Sequence, residues 1–239
     1  MPSSLSTHNE STLHAALKDW ASLPGDLLEA PLDGYTIDVL RQTPAGVDIC
    51  IEIQTGNFTH LKRKLTTLLE NGRRVHLLHP IPAQKWIIRQ TKDGDPLGRR
   101  QSPKRGQYAD VFKELVRIPE ILPHPNFTLE ILLTQQEEIW QDDGQGSWRR
   151  KHWSKVDHRL LKVLSAHRFD SPADYLTLLP ADLPRPFTNR QLAIAIKCPP
   201  GLAGKITYTL EKAGWLEPAG KTGNAKLFTV RAGSPRPAG

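Results

Sequence analysis

Three short runs, LLEAPLD, YTIDVLRQ and VDICIEIQT, follow one another between residues 27 and 55, broken only at Asp33-Gly34 and at a TPAG turn. Connections this short join neighbouring antiparallel strands, so the chain must begin with a meander or something close to it. Upstream, STLHAALKDWASL places Leu13, Leu17 and Trp20 at helical spacing, with Asn9 or Ser11 as cap and PGD as the stop. Downstream, NFTHLKRKLTTLLENG sets Phe58, Leu61, Leu65, Leu68 and Leu69 on one helical face and closes near Gly72. RVHLLHPI and QKWIIRQT then read as two apolar strands. Helix, three strands, helix, two strands is the order of an α/β sandwich with a helical crossover.

The next stretch, KDGDPLGRRQSPKRGQ, reads as an exposed basic loop, YADVFKELVRIPEIL as a helix and FTLEILLTQQEEIW as a strand. Glycines and polar residues then displace the apolar pattern in QDDGQGSWRRKHWSK. That break divides the chain into a domain at 1–140, a basic linker at 141–155 and a second domain at 156–230. In the second domain VDHRLLKVLSAHRF is expected as a helix with Leu160, Leu161, Val163 and Leu164 inward. A short helix starts at Ser171-Pro172, Thr188 caps PFTNRQLAIAIKC, PGLAGKITYTLEKAGW ends at Gly214, and LEPAGKTGNAKLFTV folds back as a hairpin. The paired helices form a helix-turn-helix, and helices followed by a hairpin make the layout of a winged helix. The AGW turn, with Trp215 opening the wing, resembles the ending common among winged helices.

Charge separates the two parts. The chain carries +7 overall; residues 1–140 balance at −1 and residues 141–239 at +8. Such asymmetry points to a polyanionic partner, DNA first, in duplex, single-stranded or branched form. Lys205, Thr209 and Lys212 would face a groove from the second helix, and Lys221 and Lys226 on the wing would reach phosphates. Arg149 and Arg150 lie between Trp148 and Trp153; those tryptophans either stack on bases or pack between domains. No apolar run approaches the roughly 20 residues that span a bilayer, so no membrane partner is expected. The N-terminus lacks the pattern of a signal peptide, and Cys50 and Cys198 stand far apart, so a reducing cytoplasm is the default expectation. The nine histidines make no HExxH pattern, and no glycine-rich phosphate loop ending in Gly-Lys-Ser/Thr occurs.

The meander also carries acids. In the third run Ile49, Ile51 and Ile53 face one way, and Cys50, Glu52 and Gln54 the other. Asp38 breaks the second run in the same manner. Pairing across TPAG brings Asp38 and Glu52 together, where two carboxylates repel unless a cation lies between them; oxygen ligands suit Mg²⁺ or Mn²⁺. Asp33 is a rival first acid, but Asp33-Gly34 is better read as a turn.

With an acid on one strand and Glu52-Ile53-Gln54 on the next, the sequence resembles the PD-(D/E)XK nucleases, the restriction-endonuclease-like superfamily. The helix–meander–crossover order of residues 10–90 matches that core, and Glu10 matches a glutamate that many members carry on the first helix. The resemblance implies a metal-dependent DNA endonuclease in which Asp38 and Glu52, supported by Glu10, hold Mg²⁺. Its departure is Gln54 in the lysine place, which can orient water or touch phosphate but cannot be a base. Lys62 or Lys64 either supplies a migrated ammonium and a DNA contact or belongs to a solvated KRK face, the simpler reading for either one alone. Cutting both strands usually takes two symmetric sites, which would make a homodimer. The other reading is a DNA-binding regulator or assembly subunit with an inactive nuclease-like domain.

Overall fold

Ser11 closes the open end of the first helix, its hydroxyl accepting from the His14 N–H at 3.3 Å. The computed structural model describes residues 11–150, except for the side chain of Arg150, and 152–232. Glu10, Asn9 and the Arg150 side chain therefore lie outside what is described. Helix α1 (Thr12–Ala21) precedes strands β1 (Leu27–Leu32), β2 (Tyr35–Gln42) and β3 (Asp48–Ile53). Asp33 and Gly34 turn β1 into β2 with φ of 52° and 82°, the left-handed geometry that matches the twist of paired strands. β1 pairs antiparallel with β2 and β2 with β3, as the short connections require.

Helix α2 (Leu61–Glu70) buries Leu61, Leu65, Leu68 and Leu69 and carries the chain over to β4 (Arg74–Gln90), which runs parallel to β3 from Ile49↔Arg74 to Ile53↔Leu78. The two apolar strands expected over 74–91 are thus one 17-residue strand. The basic loop after it contains β5 (Pro96–Gln101), antiparallel to β4 and exposed along its whole length. A short helix α3 (Phe112–Leu115) leads to β6 (Phe127–Gln141). Val75 N–H donates to Asn126 O, and Asp142 N–H to Gln90 O, so β6 follows β4 start to start and end to end.

Residues 154–169 depart from expectation. They form strand β7 (Ser154–Phe169) rather than a helix, and Leu161 and Leu164 are exposed rather than inward. LLKVL fits either period, and the hydrogen bonds offered by β6 outweigh a weak helical preference. The segment 142–153 is accordingly the return between β6 and β7. The sheet has seven strands in the order β1-β2-β3-β4-β6-β7, with β5 added on β4.

Beyond it lie α4 (Pro172–Leu176), β8 (Phe187–Thr188), α5 (Asn189–Ala195), α6 (Pro200–Lys212), β9 (Leu216–Thr222) and β10 (Ala225–Val230). Ser171 with Asp174, and Thr188 with Gln191, form reciprocal capping boxes at α4 and α5. β8, β10 and β9 make a second, three-stranded sheet.

The chain divides into two compact units. The first comprises the described residues to Pro24, Pro80–Gln107 and Leu132–Ala166. Within it Glu138 is buried and bonds Lys155 at 2.7 Å and Lys85 at 3.1 Å, while Thr134 ties to Ile81 O at 3.2 Å. The second comprises Gly25–His79, Tyr108–Ile131 and His167 onward. Its core includes Ile37, Val39, Ile51, Phe58, Leu65, Leu68 and Leu77. Phe169, Tyr175 and Trp215 stack in series at 5.0 and 4.8 Å, and α6 packs on α5 and α3. Among the described residues no helix is long and apolar enough to cross a membrane.

Candidate functional site

Register brings the two acids together. Val39 pairs with Ile51, so one residue further Asp38 stands opposite Glu52. Asp38 Oδ2 accepts from the Ile53 N–H at 2.7 Å, which fixes that carboxylate against the neighbouring strand. Cys50, Ile51, Glu52 and Ile53 are all buried, so this end of β3 is covered on both faces. Glu52 keeps only 3% of its surface exposed.

A buried carboxylate needs compensation, and Lys64 supplies it from α2. Its Nζ lies 2.6 Å from Glu52 Oε2 and donates to Thr36 O at 2.5 Å. The other oxygen, Glu52 Oε1, is buried with no hydrogen-bond partner. Burial, set against the pull of Lys64 and reinforced by the Asp38 charge, pushes the Glu52 carboxyl up to about 7. The ion pair therefore compensates the buried charge only in part.

The other nearby candidates are disposed differently. Gln54 turns its amide onto Asn57 O at 2.9 Å, while its backbone O bonds His79 Nδ1 at 2.6 Å. The side chain expected beside Glu52 is thus used in the turn that follows β3. Lys62 pairs with Glu120 instead of reaching the acids. Asp33 is bound by Arg73 at 3.0 and 3.1 Å, which holds its carboxyl below the usual range and makes it a structural residue of the turn. Sequence reasoning missed His79. It sits edge-on to Phe58 at 5.0 Å, and burial lowers its pKa, keeping the imidazole neutral. Nothing in the HLLHP stretch marks it out.

In the C-terminal elements, α6 shows a different face from the one expected. Thr209 is fully buried and its Oγ1 has no hydrogen-bond partner, because it shares a face with Ile206, Leu210 and Ala213. Lys205 leans toward α3, its Nζ 3.4 Å from Lys113 O. Tyr208, which the sequence did not single out, is 45% exposed, and Lys212 lies 6.0 Å over its ring. In the β9–β10 hairpin, Lys226 is engaged by Glu211 at 2.7 and 2.9 Å, whereas Lys221 is exposed. Arg149 lies 5.6 Å over Trp148.

Among the described residues no group of three or more His, Cys, Asp or Glu side chains is gathered as a metal cluster. Asp38 and Glu52 form a pair of acids, and the expected third ligand, Glu10, falls outside the described residues.

Residues 11–170 match the family described as a domain of unknown function (DUF8091). The chain belongs to this family. An uncharacterized protein of Treponema pallidum (strain Nichols) is 31% identical over 227 residues, covering 94% of this chain and 86% of that protein. No solved structure matches. The DUF8091 region contains Asp38, Glu52 and Lys64 and ends just after β7, ahead of α4 and of the second sheet, which starts at Phe187.

Proposed function

We propose that this chain is a divalent-metal-dependent nuclease of the PD-(D/E)XK type whose C-terminal elements, read as a winged helix, position DNA. The observation that carries the reading is a single constellation. Asp38 and Glu52 oppose each other on adjacent strands, Lys64 stands 2.6 Å from Glu52, and Glu52 Oε1 is buried without a partner. An unsatisfied carboxylate oxygen beside a second carboxylate suits a hard cation such as Mg²⁺ or Mn²⁺, which Asp38 and Glu52 would hold, with Glu10 as a further ligand. When bound, the ion would polarise a phosphate oxygen and lower the pKa of a coordinated water.

The chain's own groups have defined tasks. Burial raises the Glu52 carboxyl to about 7, so above that pH it would meet a cation as a carboxylate. Lys64 has three donors, two of them spent on Glu52 Oε2 and Thr36 O, so the third can meet a phosphate oxygen. Lys64, rather than Gln54, is thus the ammonium of the site. On α6 and the hairpin, Lys212, Tyr208 and Lys221 offer the DNA contacts; the sequence of α4, β8, α5, α6 and a β-hairpin supports the winged-helix reading.

The test is cleavage of plasmid, single-stranded circular and branched DNA with Mg²⁺ or Mn²⁺. Wild type cuts at least one of them, and Glu52→Gln and Asp38→Asn abolish it; cleavage surviving both substitutions would sink the assignment. A second reading, a DNA-binding regulator with a silent site, draws on Gln54 being bonded to Asn57 O and on Lys64 closing one side of Glu52. Salt-dependent DNA binding without cleavage under any divalent metal would favour it.

A further inference from the structure

The first compact unit carries an arginine-tryptophan arrangement that the acids of β2 and β3 do not explain. Arg99 on β5 lies 4.7 Å over Trp86 of β4, and Arg89 lies 5.1 Å over Trp153. The third pair, Arg149 on Trp148, sits in the return after β6. That return is tied to the end of β4 by Asp142 N–H to Gln90 O at 3.1 Å and by the Gln141 amide to Lys92 O at 2.6 Å. Gly146 N–H donates to His152 O at 2.7 Å, and a Cβ on Gly146 would collide with the Trp153 carbonyl, so Gly146 lies tight against residues 152 and 153. Trp148 is 75% exposed. From Pro96 to Gln107 the chain has four Lys/Arg and no Asp/Glu; Arg99 is paired with Glu137 of β6 at 2.8 Å, and Arg100 is exposed.

We propose that the β4–β5 hairpin and the Trp148 turn together form a platform for single-stranded nucleic acid. A guanidinium stacked on an indole has its rotamer already restricted; Arg99 spends its Nε on Glu137 Oε1 at 2.8 Å, so its terminal N–H groups are the ones to meet a phosphate. An exposed indole offers a face to a base, but a duplex hides its base faces, so Trp148 fits an unpaired strand. The inference rests on the polynucleotide reading above and names the strand state of that polymer.

Binding of the full-length chain to labelled oligothymidylate, oligouridylate and a duplex of equal length, measured by fluorescence anisotropy in EDTA, tests it without any cleavage. Trp148→Ala should weaken single-strand binding roughly fivefold to hundredfold and leave duplex binding nearly unchanged. Arg100→Glu with Lys104→Glu should lower the single-strand salt slope by about 1.4. A preference for either oligonucleotide supports the platform and identifies DNA or RNA as its source. Unchanged single-strand affinity in Trp148→Ala, or an equal loss on duplex, overturns it. Binding is read in EDTA and cleavage with Mg²⁺ or Mn²⁺, so failure of the platform and failure of the nuclease reading are separately visible.

Discussion

Replacing Glu52 with Gln should change how stability depends on pH more than it changes the fold. The Glu52 carboxyl stands at about 7 in the folded protein, against 4.5 for an ordinary glutamate, with burial as the main cause. A raised acid favours folding while protonated; its contribution is fully present below about 4.5 and is lost as pH climbs through about 7. A difference of about 2.5 units at 1.36 kcal/mol each amounts to about 3 kcal/mol lost by the wild type between about pH 4 and pH 8.5. Gln does not titrate, so the variant escapes that loss, while any cost of leaving Lys64 without its partner acts at both pH values. Urea denaturation at the two pH values, without divalent metal, should therefore show the variant gaining about 3 kcal/mol on the wild type at the alkaline end, a midpoint change on the order of 1 M. Parallel pH profiles for the two proteins would refute the reasoning, because Glu52 would then titrate as an ordinary surface acid.

Lys64→Met leaves Glu52 buried without its cation and should cost about 3 kcal/mol at pH 8.5, with a much smaller loss near pH 4, as read by the same denaturation series. Glu138 is held between Lys85 and Lys155, and despite its burial its carboxyl falls to about 2. Its contribution is present above about 4.5 and lost as pH falls toward 2, so Glu138→Gln should flatten the acid limb of the thermal-melting profile between those values. Trp215→Ala removes one end of the Phe169–Tyr175–Trp215 stack and should destabilise by about 3–5 kcal/mol in equilibrium unfolding.

The acid pair was legible only as far as the short turn making β2 and β3 neighbours: TPAG alone would pair Gln42 with Val47, and the observed Gln42↔Asp48 register, with Val47 drawn into the loop, is what sets Asp38 opposite Glu52. Lys64 was named only alongside Lys62, since four residues of KRKL give no sign of how α2 crosses the strands, and that crossing decides which lysine meets the buried acid. Lys62, two positions away, turns to Glu120 instead. β7 was misread because LLKVL satisfies helical and strand periods equally, and the choice was made by β6, distant in sequence only by a loop. β5 escaped notice for the opposite reason: an exposed strand on a hairpin has no apolar alternation to betray it. On α6, Thr209 looked like a polar surface residue by type, yet its place one turn from Ile206 and beside Leu210 puts it in the core.

Whether Asp38 and Glu52 share a divalent cation is read most directly by Mn²⁺ titration of the metal-free protein, followed by electron paramagnetic resonance at about pH 8. One Mn²⁺ is expected per chain, displaced by Mg²⁺, with occupancy falling as pH drops below 7 and binding lost in Glu52→Gln and in Asp38→Asn. Mn²⁺ bound equally by wild type and both variants, or not bound by the wild type at all, would contradict it.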